Sequence, residues 1–71
     1  MFIEISDNYY NAFEIRNFYF SEQYQKIVVE LKDGTIHYLE VPKAWINMPK
    51  KYLKQIAEGV SIVTGLVNRI W

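Results

Sequence analysis

The sequence predicts an α+β fold, a small antiparallel β-β-β sheet followed by two helices packed on one of its faces. Three observations predict it. Asp33-Gly34 stands between two β-rich runs, residues 11–20 alternate before turning wholly apolar, and the hydrophobic period changes after Val41-Pro42. Strands repeat every two residues and helices every 3.6, so the change of period marks the change of element.

Taken in order, residues 2–5 form a short edge strand that ends at an Asp7-Asn8 turn. Residues 11–20 form the next strand. Phe13 and Ile15 alternate with Glu14 and Arg16, and Phe18-Tyr19-Phe20 puts aromatics on both faces. Residues 21–25 turn into the central hairpin. Its Asp33-Gly34 tip reads as a two-residue type I′ turn, in which both central residues take positive φ. That turn would set Glu30 against His37 and Val29 against Tyr38. Ile27, Val29, Leu31, Ile36 and Tyr38 would then share the core face, with Val28, Leu39, Glu30 and His37 on the wet face. Pro42 opens a short helical turn through Trp45-Ile46, and Pro49 suits the first position of a helix over residues 50–58. Gly59 reads as its stop, and Ser61 as the cap of a last helix carrying Ile62, Val63, Leu66, Val67 and Ile70 at helical spacing.

Length and composition bound the rest. Seventy-one residues are expected to make one domain, with residues 1–41 as the sheet and 42–71 as the helical part. The chain has no cysteine and one histidine, His37, which removes disulfides, thiolate chemistry and multi-histidine metal sites. A core this small supplies only a few kcal/mol, so dense aromatic packing or self-association is expected to add to it. Four Phe, six Tyr and two Trp suit either role. No stretch approaches the ~20 apolar residues of a membrane span. The first residues lack a signal-peptide pattern, so a cytoplasmic chain is expected.

The formal charge of zero hides a polarised chain. Residues 1–42 hold seven acids against Arg16, Lys26 and Lys32, whereas residues 43–71 hold Lys43, Lys50, Lys51, Lys54 and Arg69 against Glu58. For catalysis the inventory is poor. His37 opposite Glu30 would be an acid–base pair with no nucleophile beside it, and a cross-strand charge pair is the plain explanation. No serine sits in a nucleophile elbow, and the three glycines make no phosphate loop. No catalytic residue, metal ligand or cofactor is therefore assigned.

Two binding classes remain. Nucleic acid would use Lys43, Lys50, Lys51 and Lys54 with Tyr52, because cations meet phosphates and aromatics stack on bases. The bland alternative is a solvated lysine face. Protein binding would use Tyr19, Trp45, Leu66, Val67, Ile70 and Trp71, since Tyr and Trp are the usual interface anchors. The bland alternative there is that the aromatics fill a core with only four leucines, Leu31, Leu39, Leu53 and Leu66.

From residue 18 onward, Tyr19, Gly34, Val41-Pro42, Gly59 and the closing Asn68-Arg69-Ile70-Trp71 follow the order of an aromatic, a hairpin tip, a Val-Pro pair, a helix and an aromatic end. In that order the chain resembles the KTSC family of small bacterial and phage domains. His37-Tyr38-Leu39 stands where that family has Tyr-x-Tyr. The resemblance implies an RNA-contacting role and no catalytic residues. Taken together, the expectation is a non-enzymatic protein-binding module of phage or mobile-element type, a homodimer packed through its last helix. An RNA-contacting domain using the basic helix is the alternative.

Overall fold

The computed structural model describes the backbone of residues 2–64 and the side chains of residues 2–59. Strands β1 (Phe2–Ile5) and β2 (Asn8–Asn11) form an antiparallel hairpin of their own. Strands β3 (Ile15–Ser21), β4 (Lys26–Leu31) and β5 (Ile36–Leu39) form an antiparallel sheet in that spatial order. One helix follows, α1 (Pro49–Thr64). Two 3₁₀ turns, Ala12–Glu14 and Lys43–Trp45, make the connections.

The α+β class stands, with an antiparallel sheet and a helix. Among the described residues the expected pair of helices is one. Gly59 ends a helix only by taking left-handed φ, and Gly34 is the glycine with positive φ among the described residues. The helix runs through Gly59 and Ser61 without a break. An interior glycine costs about 1 kcal/mol, too little to stop a helix by itself.

The sheet portion also departs from expectation. The strand expected over residues 11–20 is interrupted, because the Asn11 side chain accepts from Phe13 N–H and starts the first 3₁₀ turn. Strand β2 carries Asn at both ends and tyrosines between, so no alternation announces it. The turn before it is Ser6-Asp7, not Asp7-Asn8. Ser6 (φ 53°) and Asp7 (φ 66°) lie between the paired residues Ile5 and Asn8, which is the backbone pattern of a type I′ hairpin.

At Asp33-Gly34 the turn is of another kind. Gly34 N–H donates to Leu31 C=O at 3.0 Å, and Leu31 N–H donates to Thr35 C=O at 2.8 Å. Gly34 has φ +95° while Asp33 stays out of the left-handed region. This is a three-residue loop, a type I turn closed by a glycine bulge. The extra loop residue slips the pairing by one. Val28 faces Tyr38, Val29 faces His37 and Glu30 faces Ile36. A slip of one residue turns every β5 side chain over. Leu39 and His37 therefore point to the core side, and Ile36 and Tyr38 point out.

The core lies between the sheet, the β1–β2 hairpin and α1. Phe18, Ile27 and Val29 from the sheet meet Ile5 and Tyr10 from the hairpin and Leu53 and Ala57 from the helix. Tyr52 hydroxyl accepts from Ser6 N–H at 2.9 Å, which ties helix to hairpin. Among the described residues no helix is long and apolar enough to cross a membrane.

Two tests belong to the tip of the β4–β5 hairpin. A Cβ at Gly34 would meet nothing within 4 Å, so Gly34→Ala pays only for the left-handed backbone, about 1–2 kcal/mol. A denaturation midpoint equal to wild type would contradict this turn type. Hydrogen bonds from Thr35, through its side chain and then its N–H, hold the Asp33 carboxyl below its ordinary value. A carboxyl depressed in the folded state favours folding at neutral pH, and that contribution fades as pH falls through the folded pKa. Asp33→Asn should therefore flatten the acid side of the stability–pH profile. An unchanged acid limb would show that Thr35 does not hold the carboxyl.

Candidate functional site

Helix α1 and the β1–β2 hairpin cover one face of the three-stranded sheet, and the structure places no described element on the other. That outer face follows from the register. One row across it is Tyr19, Val28 and Tyr38, the next Asn17, Glu30 and Ile36. Tyr24, in the β3–β4 turn, sets its ring edge-on to Tyr38 at 5.8 Å between centroids. Val28 is 1% exposed yet outside the core cluster, flanked by the tyrosines of its own row. Tyr24, Ile36 and Tyr38 are 56%, 47% and 55% exposed, which makes a continuous apolar and aromatic surface.

The charges on this face are already partnered. Arg16 Nη2 lies 2.9 Å from Glu30 Oε1, and Lys26 Nζ pairs with Glu40. A groove of about 380 Å³ opens between Tyr24, Lys26 and Tyr38. Exposed ion pairs add little to stability. Their effect here is to leave the face with no net charge.

His37 is not where the type I′ register puts it. It faces Val29, not Glu30, and its ring lies on the core side, where Nδ1 and the Tyr10 hydroxyl share a hydrogen bond of 2.9 Å. Burial pushes the Tyr10 phenol up, so the hydroxyl keeps its proton. Glu30 is committed to Arg16 instead. The acid–base pair expected from the sequence is thus not brought together.

The other expected site residues divide. Tyr19 is half-buried on the outer face, as alternation from the buried Phe18 requires. Trp45 lies across the molecule in the second 3₁₀ turn, tilted against Tyr52 with centroids 5.6 Å apart. Leu66, Val67, Ile70 and Trp71 lie outside the described residues. Of the basic set, Lys43, Lys50, Lys51 and Lys54 are exposed, and Lys50 pairs with Glu22 at 2.9 Å. That contact lowers the Glu22 carboxyl. Tyr52 is half-buried, with its hydroxyl taken by Ser6 and its ring packed against Trp45, so it is not a free platform for a base. Tyr24 is among the aromatics in excess of a minimal core, whereas Ile36 and Tyr38 were expected on the core face, and the three-residue loop turns them out beside it.

Comparison with protein-family models, with curated proteins and with solved structures finds no match to this chain.

Proposed function

We propose that this chain is a small non-enzymatic protein-binding module whose docking face is the outer surface of the β3–β4–β5 sheet. The observation that carries the reading is the exposed cluster of Tyr24, Ile36 and Tyr38 beside cations that are already ion-paired. Protein interfaces have aromatic centres depleted of free charge and a polar rim. Phosphate-binding faces need unpaired cations that release counterions. On this face the chemistry favours protein.

The KTSC-like, RNA-contacting reading belongs to a different surface, that of Lys43, Lys51 and Lys54. Their exposure favours it, whereas the occupied Tyr52 removes its stacking platform. Immobilised wild type, Tyr24→Ser/Tyr38→Ser and Lys51→Glu/Lys54→Glu chains separate the two readings when exposed to extracts of the cells that produce the protein. The expected result is one protein retained at stoichiometric level, lost with the tyrosine variant and kept with the lysine variant after nuclease digestion. Retention of RNA that only the lysine variant loses would replace this reading with the RNA one.

A further inference from the structure

The three-stranded sheet ends differently on its two sides. At the β3 end the pairing shifts register between Ile15 and Asn17, and Arg16 sits at the shift. Bulges and charged side chains are the usual devices that keep an edge from pairing with another chain. Strand β5 has neither. Ile36-His37-Tyr38-Leu39 contains no proline, no lysine and no bulge.

The direction of its backbone groups follows from the turn. Leu31 N–H donates to Thr35 C=O, so Thr35 turns its polar groups toward β4. Antiparallel ladders alternate, which sends those of His37 and Leu39 the same way and those of Ile36, Tyr38 and Glu40 to the open edge. Glu40 C=O is taken there by the Ser6 hydroxyl. The Gly34 bulge closes the other end of the strand. Between them, N–H and C=O of Ile36 and Tyr38 have no backbone partner among the described residues.

We propose that β5 pairs antiparallel with β5 of a second copy of this chain, about a two-fold axis at His37, to make one continuous sheet. The identity of the occupant comes from the symmetry of the free stretch. An axis at His37 sets Ile36 against Tyr38 of the second copy and Tyr38 against its Ile36, so every free edge group finds a partner. An axis one residue later would demand the Glu40 carbonyl that Ser6 holds. On the outer face the same register lays each exposed isoleucine beside an exposed tyrosine, an apolar cross-strand pair. No charged residue lies within β5 to meet its own copy, and a chain of zero formal charge has no net repulsion to overcome. So short a contact belongs to the weak, transient class of interfaces.

The inference rests in part on the docking reading, because Ile36 and Tyr38 serve both. The test is amide exchange at low-micromolar and millimolar concentration, with isotope-filtered contacts in a mixed labelled and unlabelled sample. Ile36 and Tyr38 amides should exchange at least tenfold more slowly at the higher concentration, with contacts from Ile36 methyls to the Tyr38 ring of the other copy. Ile36→Lys should abolish both effects while its circular dichroism stays that of the wild type. Tyr24→Ser, off the edge, should weaken capture of a protein partner and leave the self-pairing intact. Edge amides indifferent to concentration, or contacts between copies through residues 62–70 instead, would overturn the pairing. If Tyr24-dependent capture persists in either case, the docking reading survives without it.

Discussion

Phe18→Ala is expected to leave the chain without a stable fold. Phe18 is 1% exposed at the middle of β3, in the cluster that joins sheet, hairpin and helix. Truncating a buried Phe to Ala costs about 3–5 kcal/mol, from lost transfer energy and the cavity left behind. A domain of 71 residues has roughly 4–10 kcal/mol in total. The loss is a large share of that stability, and no disulfide supplements it. Circular dichroism at room temperature should show a large unfolded fraction, or a melting transition lowered by tens of degrees. A transition within a few degrees of wild type would mean that the inner face is not the core.

Tyr38→Ala is expected to do the opposite, sparing the fold and removing the function. The side chain is 55% exposed and touches the aromatic Tyr24 on the outer face. Removing an exposed cross-strand neighbour costs about 1 kcal/mol or less. At the centre of a docking face, a tyrosine anchor is worth about 2 kcal/mol or more, a loss of roughly 30-fold in affinity. Titration calorimetry with the retained partner, beside a thermal melt of the same variant, measures both quantities. Unchanged affinity would remove Tyr38 from the interface. Loss of affinity in step with loss of stability would make its role structural.

The contrast between these residues shows where the sequence is legible. The sequence shows aromatics on both faces at Phe18-Tyr19-Phe20 but not which of them faces inward. Carrying the alternation of Phe13 and Ile15 forward would put Tyr19 inside, and the register shift between Ile15 and Asn17 buries Phe18 instead. The β4–β5 hairpin is visible from Asp33-Gly34, but its register is not. Asp-Gly serves a type I′ turn, where both residues are left-handed, and equally a type I turn with a bulge, where only the glycine is. Counting apolar residues favours the first, because Ile36 and Tyr38 are the more apolar pair to bury. The molecule instead turns Leu39 and His37 inward, and Tyr10 supplies the hydrogen bond that satisfies the histidine. That partner is 27 residues away and invisible to local pattern.

The same limit hides Ser6-Asp7, a type I′ turn without glycine, and the fate of Tyr52. Its phenol is engaged by a backbone N–H on the hairpin and its ring packs against Trp45, so a residue that looks available for stacking is not. The lysines of α1 were legible because solvation of a charged helix face needs no tertiary information. The docking face was not, because its three exposed members come together only when the sheet register is known.

The most direct test of the docking face is site-specific photo-crosslinking in the cells that make the protein. A photoreactive phenylalanine analogue replaces Tyr38 in one chain and Lys51 in another. A protein adduct is expected at position 38, insensitive to nuclease, with little or none at position 51. Adducts at position 51 alone, or nucleic-acid adducts in place of protein, would contradict the docking reading.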